Sequence, residues 1–151
     1  DYVVHNKVYS NFNNQYEKHK KLMDHVTWSS PSLGWSSGPT ALKLACDHEL
    51  TEIYILGFDY QGLPVDPKKN RFHLNNIYGD TRNYKKSSDE ATFYGNWMNQ
   101  TKRCLQDFPN VQFHRVIPQG WFKPAEHEWN GKIDHPTTEE FLSKFDLQIK
   151  N

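Results

Sequence analysis

Apolar positions recur with helical spacing in two central stretches and run unbroken in a third, and these stretches organise the chain. Between residues 39 and 49, Leu42, Ala45 and Cys46 fall on one stripe, flanked by Ala41 and Leu44. That is the period of a helix covering a core. Pro39 suits a first helical turn, where its missing N–H has no intrahelical acceptor to lose. Residues 53–58, Ile-Tyr-Ile-Leu-Gly-Phe, are continuously apolar and predict a strand covered on both faces, ending on Asp59. Helix, short turn and buried strand make half of a βαβ unit and predict a parallel sheet.

Further on, Tyr94, Trp97, Met98, Thr101, Cys104, Leu105 and Phe108 keep helical spacing, and Pro109 stops the pattern. Ser88, followed by Asp89 and Glu90, predicts the N-cap of that helix. Residues 110–117 predict a strand ended by Pro118. Residues 119–135 are irregular and aromatic (Trp121, Phe122, Trp129), and Thr137-Thr138-Glu139-Glu140 opens a last helix with Phe141, Leu142 and Phe145 facing inward. Before the central unit lie a β-like run at residues 2–9, a polar helix at 15–24 and a short strand at 25–28. Residues 61–87 are polar, with Gly62, Pro64, Pro67 and Gly79, and a loop of that length reads as a lid or binding loop. No internal repeat is visible. The expected fold is α/β: a three-layer, Rossmann-like domain over residues 1–118, with a mainly parallel sheet of about four strands and helices on both faces. Residues 119–151 form an irregular aromatic extension with a final helix.

Composition narrows the partners. The 151 residues carry 18 basic and 18 acidic side chains, so no net field draws the chain to nucleic acid or to a membrane surface. Hydrophobic residues make up only 36% while aromatics reach 15%, so the core must lean on large rings. Cys46 and Cys104 fit no metal or redox spacing and fall on apolar helix faces, which predicts two buried free thiols and a reducing, cytoplasmic setting. No apolar run reaches transmembrane length and no signal-peptide pattern opens the chain. Asn99-Gln100-Thr101 matches a glycosylation acceptor but lies inside a predicted helix. Asp1-Tyr2-Val3-Val4-His5 reads like the interior of a fold, and no glycine-rich strand–turn–helix precedes the central unit. The chain is expected to be the C-terminal portion of something longer, with homo-oligomerisation as one way to complete its sheet.

Candidate chemistry gathers around the central unit. Ser36-Ser37-Gly38-Pro39-Thr40 offers backbone N–H groups and three hydroxyls at a positive helix end, a natural anion site. Pro39 removes one donor from it. Asp59, just past a strand's carboxyl end, stands where open α/β sheets bind ligands and could accept hydrogen bonds from a ribose, base or sugar hydroxyl. Because helix and strand run antiparallel, the Ser36-Ser37-Gly38 turn and Asp59 are expected to flank one cleft under the 61–87 loop. In that loop, Arg82, Lys85 and Lys86 could neutralise a phosphate, with Tyr78 or Tyr84 stacking or hydrogen bonding. The eight histidines show no metal-binding spacing.

The order of Ser36-Ser37-Gly38, a helix, and Glu52-Ile53-Tyr54-Ile55-Leu56-Gly57-Phe58-Asp59 resembles the second half of the bacterial lipooligosaccharide sialyltransferases. It also resembles the related Rossmann-like proteins that include archaeal 6-hydroxymethylpterin diphosphokinase. The resemblance can be laid over residues 27–118, with specific matches between 36 and 60. It implies nucleotide contacts from Ser36, Ser37 and Gly38, since a Ser-Gly at that helix start binds cytidine monophosphate in the sialyltransferases. It also implies a nucleotide or sugar contact from Asp59. The family's catalytic histidine precedes the next helix; here Lys85, Lys86, Ser87 and Ser88 stand instead, which leaves His73 as the candidate base. The Asn-rich loop followed by Tyr94-Gly95-Asn96-Trp97 also looks like uncharacterised proteins of marine T4-like phages.

Three functions remain in play from the sequence. The first is a nucleotide-sugar-dependent glycosyltransferase-like domain, intact or as a fragment or degenerate copy, with a nucleotide sugar as substrate and no firmly implied cofactor. The second is pyrophosphoryl transfer with Mg²⁺, which requires Asp66 or Asp80 beside Asp59. The third is a non-catalytic binding or assembly module.

Overall fold

The computed structural model describes residues 8–11, 24–29, 34–66, 71–92, 95–121, 129 and 133–148. In chain order the elements are β1 (Val8–Asn11), β2 (Val26–Ser29), α1 (Ser37–Asp47), β3 (Glu52–Ile55), β4 (Leu63–Asp66), β5 (Arg71–His73), α2 (Gly95–Asp107), β6 (Gln112–Arg115), β7 (Ile133–Asp134) and α3 (Thr138–Lys144). The polar helix at 15–24 lies outside the described residues except for Asp24. So do residues 2–7 of the first β-like run, and Tyr94 and Phe122.

The fold is mixed α/β. Strands β3, β6 and β7 form a parallel sheet in that order, so the predicted parallel pairing is present with three strands in this sheet. The strands β1 and β2 form a separate parallel pair. The first of them reaches α1 through the ring of Tyr9, which meets His48 edge-on at 5.8 Å.

Strand β3 is shorter than the predicted run over residues 53–58, ending at Ile55 with Leu56 exposed beyond it. It stands at the end of the three-stranded sheet and alternates, with Ile53 and Ile55 buried and Tyr54 half-buried. Its unbroken apolar run has a physical reason, because each face meets a different layer. Ile53, Ile55 and their neighbour Phe113 join Leu42 and Cys46 of α1 and Met98, Cys104 and Leu105 of α2 in one core. On the other face, Tyr54 stacks on His114 with ring centroids 4.4 Å apart, and Phe141 and Phe145 of α3 lie against Tyr54 at 5.4 and 5.1 Å. Both cysteines are free and buried, as the helical stripes predict. Burial pushes the Cys46 thiol up to about 11 and the Cys104 thiol up to about 12. Thr101 is fully buried within α2, which leaves the Asn99-Gln100-Thr101 match without meaning as a surface acceptor.

Three further expectations are corrected. The helix predicted from Ser88 is α2, beginning at Gly95. Residues 89–91 instead pair with the β5 segment: Leu74 donates to the carbonyl of Asp89 at 2.9 Å and Ala91 to that of Phe72 at 3.0 Å. A backbone used in a ladder cannot also make i→i−4 bonds. The 61–87 segment is not an uninterrupted loop, because β4 and β5 form an antiparallel hairpin within it. Gly62 is obligatory at its base: a Cβ there would lie 2.1 Å from the carbonyl oxygen of His73. The residues after 118 are not merely an extension, since β7 adds a strand to the sheet and Ile117 bridges Thr137.

Helix α3 opens as its sequence predicts. The Thr137 hydroxyl accepts from the Glu140 N–H at 3.2 Å, and the Glu140 carboxylate accepts from the Thr137 N–H at 2.7 Å. Its inward side chains are only partly covered, and Phe145 remains 45% exposed. No helix among the described residues is long and apolar enough to cross a membrane.

Candidate functional site

Helix α1 begins with two backbone donors, those of Ser37 and Gly38, unspent. Ser36 is the N-cap residue but makes no side-chain cap, and its carbonyl accepts from both the N–H and the hydroxyl of Thr40, at 3.0 and 2.9 Å. The N–H groups of Ser37 and Gly38 therefore have neither an intrahelical acceptor nor the N-cap hydroxyl. The turn is held from α2: Gln100 Oε1 accepts the Ser36 N–H at 3.0 Å, and Cys104 Sγ lies 3.9 Å from the Pro39 carbonyl oxygen. At Gly38 the Phe58 ring packs so close that an added Cβ would lie 2.8 Å from it and the ring would have to shift.

Opposite this turn, the chain leaving β3 bends twice. Gly57 has φ of 78° and Tyr60 has φ of 55°, so Phe58 and Asp59 sit between two left-handed residues. For tyrosine that conformation costs about 1–2 kcal/mol, and the surroundings hold it. Tyr60 is 1% exposed, its hydroxyl contacts Thr101 Oγ1 at 2.5 Å, and its ring packs near Phe58 and Trp129. Burial pushes its phenol well above the usual range.

Arg115, fully buried on β6, reaches past the end of β3. Its Nε donates to the Phe58 carbonyl at 2.6 Å and its Nη2 to the Asp59 carbonyl at 2.9 Å. Its guanidinium also lies 4.9 Å from the centre of the Tyr60 ring. Burial lowers the Arg115 pKa, with the nearby Tyr60 and Asp59 opposing that shift.

These elements enclose a cavity of about 480 Å³, within the range of small-molecule sites. Ser36, Ser37, Gly38, Asp59 and Tyr84 line it, together with Phe58, Asn75 and Asn76. The predicted meeting of the helix turn and Asp59 in one cleft is thus present. Desolvation raises the Asp59 carboxyl above its ordinary value. Hydrogen bonds oppose that shift, chiefly the one from Asn75 Nδ2 to Asp59 Oδ2 at 2.6 Å. The Tyr84 hydroxyl accepts from Asn76 Nδ2 at 3.2 Å, which ties the 76–84 turns to the rim.

The remaining candidates stand elsewhere. Thr40 turns its hydroxyl back onto Ser36, and Tyr78 is exposed beside Tyr84 at 6.4 Å between ring centroids. Arg82 and Lys85 are exposed, and His73 belongs to β5; none of the three lines this cavity. Asp66 lies in β4. The Asp80 carboxylate is engaged by Ser87, whose hydroxyl and N–H donate at 2.5 and 3.0 Å and draw its pKa down. Among the described residues no three His, Cys, Asp or Glu side chains gather as a metal-binding group.

Sequence reasoning passed over Arg115 and Asn75. A cation inside the apolar strand Phe113-His114-Arg115-Val116 was the available signal for Arg115, since a buried guanidinium needs acceptors. Asn75 carried no signal beyond the Asn-rich composition of its loop.

A second cavity, of about 700 Å³, adjoins the first. Gly57, Phe58, Asp59, Asn75 and Asn76 line both, and the rest of the second lining is mainly apolar. No protein-family model, curated protein or solved structure significantly matches this chain.

Proposed function

We propose that the chain is a nucleotide-sugar-dependent glycosyltransferase-like domain, its nucleotide phosphate seated on the N-terminus of α1 and its sugar turned toward Asp59. One observation carries this reading: the uncapped Ser36-Ser37-Gly38 turn and the Asp59 carboxyl line the same cavity. Free N–H groups at a positive helix end favour an anion. A carboxylate across a small cavity favours hydroxyls, and a ligand bearing both is a nucleotide or nucleotide sugar. The finer reading of the fold as three-layer and Rossmann-like belongs to the same proposal. It is supported by α1 and α2 sharing a core with Ile53, Ile55 and Phe113, while the α3 rings lie against Tyr54.

Titrating the chain calorimetrically with CMP, UDP and GDP, and with CMP-N-acetylneuraminate, UDP-glucose and GDP-mannose, tests the reading. Saturable heat is expected with at least one, weakened at least about tenfold in Asp59→Ala, an effect of one lost charge-assisted contact. Silence with every cytidine, uridine and guanosine species leaves the reading without support.

A second reading, an assembly module that completes its sheet with another copy, draws on β3, which has one ladder partner among the described residues. Light scattering across a concentration series distinguishes it, and a strict monomer counts against it.

A further inference from the structure

Two cavities meet at one carboxylate. The wall they share is made by Gly57, Phe58, Asp59, Asn75 and Asn76, and among the described residues Asp59 is the one acidic side chain in either lining. Beyond that wall the character changes. The second cavity is walled by Leu56 and Ile77 at its mouth, by Val116 and Ile117 from the end of β6, and by Phe141 and Leu142 of α3. Leu56 is 56% exposed and Ile77 is 89% exposed. Large apolar side chains held in water beside a concave apolar surface mark a place that something apolar covers. Continuity with the Asp59 cavity says which end of that occupant must be polar.

We infer that the second cavity is the acceptor subsite of the transfer, seating an alcohol carried on an alkyl or aryl group with its hydroxyl at Asp59. The inference rests on the first cavity being the donor site. In the step this geometry supports, the acceptor O–H gives its proton to the Asp59 carboxylate, and the oxygen forms a bond to the anomeric carbon. The bond from that carbon to the phosphate oxygen breaks, and its electron pair leaves with the nucleotide, whose charge rests on the Ser37 and Gly38 N–H groups. No further reactant is needed. A carboxyl raised by desolvation is a better base than an exposed one. Asn75, donating to Oδ2 at 2.6 Å, orients it.

The test uses the whole chain, saturated with whichever nucleotide binds, and octyl β-glucoside below its micellar concentration, with free glucose as the control. Octyl glucoside is expected to bind at least about tenfold more tightly than glucose, the effect of covering its chain. Ile77→Asp, at a side chain too exposed to matter for folding, and Leu142→Asp should each abolish that preference and leave nucleotide affinity unchanged. With a bound sugar nucleotide, octyl glucoside should accelerate nucleotide release in the native chain and not in Asp59→Asn. Equal binding of glucose and octyl glucoside, with nucleotide binding intact, overturns the acceptor subsite and spares the donor reading. An alkyl preference that survives both substitutions places the chain elsewhere and overturns it too. Unaltered release in Asp59→Asn removes Asp59 as the base. Absence of any nucleotide binding overturns donor reading and acceptor subsite together.

Discussion

Arg115 Nη2 donates to the backbone carbonyl of Asp59 at 2.9 Å, so the residue that lines both cavities is held through its backbone by a buried cation. With Nε on the Phe58 carbonyl, one guanidinium fixes two successive peptide groups between the left-handed Gly57 and Tyr60. Only a planar, forked donor can do this from one side chain.

Replacing Arg115 with Met should therefore cost about 2–6 kcal/mol, since two carbonyls lose their partner and each unsatisfied buried group costs about 1–3 kcal/mol. Arg115→Lys keeps the charge but not the fork, and should recover only part of the loss. Urea denaturation of the two variants measures this. A Met variant as stable as the parent would show that the guanidinium does not hold the Phe58-Asp59 bend.

Asp59 should make the protein less stable as pH rises. Its folded pKa is raised by desolvation above the ordinary 3.8, so below that value both folded and unfolded forms are protonated and the folded state carries no penalty. As pH climbs past 3.8 through the folded pKa, the unfolded chain ionises more readily and stability falls. Asp59→Asn should accordingly melt higher than the parent at pH 7, with the difference closing below pH 3.8. Melting curves between pH 3 and 7 check the sign, and a variant that melts lower at neutral pH contradicts it.

Two glycines should respond differently to alanine. Gly57 has open space around a would-be Cβ but φ of 78°, so Gly57→Ala should cost about 1–2 kcal/mol from backbone strain alone. At Gly62 the new methyl would meet the His73 carbonyl oxygen at 2.1 Å and the Ala91 side chain at 2.6 Å. That contact cannot be relieved without parting the β4–β5 hairpin from residues 89–91, and overpacking of this kind costs about 1–3 kcal/mol or more. Amide exchange at Leu74 and Ala91 should accelerate in Gly62→Ala and stay unchanged in Gly57→Ala.

Helix α3, one wall of the second cavity, is fastened at the surface by Glu52, Tyr54 and Lys144. Lys144 Nζ lies 3.0 Å from Glu52 Oε1 and also contacts the Tyr54 hydroxyl, which donates to the same carboxylate oxygen at 2.8 Å. His114 sits alongside, its Nδ1 2.6 Å from Asp134 Oδ1 and its Nε2 3.0 Å from Glu52 Oε1. The Tyr54 hydroxyl and then Lys144 hold the Glu52 carboxyl below 4.5, while Tyr54 and then Glu52 hold Lys144 above 10.5. A depressed carboxyl contributes above its ordinary pKa and is lost as pH falls; a raised amine contributes below its own and is lost as pH rises. The proton contact between the Tyr54 and Phe141 rings, followed by NMR, should weaken below pH 4.5 and above pH 10.5. Glu52→Gln should flatten the acid limb. The pairs are exposed, so added salt should soften both limbs.

What the sequence determined by itself was whatever depends on neighbours a few residues apart. The stripe of Leu42 and Cys46 and the Thr137-Thr138-Glu139-Glu140 helix start are local patterns that became the helices they predict, and the run from Ile53 became a strand, though one that ends at Ile55. Even the shared cleft of Ser36-Ser37-Gly38 and Asp59 follows from chain direction, because a helix that returns into the next strand puts its start beside that strand's end. Tertiary structure decided the rest. Ser88-Asp89-Glu90 has the local chemistry of a helix start, yet residues 89–91 are claimed by the β5 segment, a pairing across about one hairpin's length that no local period encodes. Arg115, 56 residues from Asp59 in sequence, meets it only because β3 and β6 are neighbours in parallel register. The second cavity draws its lining from the end of β3, the loop after β5, the end of β6 and α3. Its existence is a property of how those segments pack, and packing is settled by contacts that the order of residues along the chain does not display.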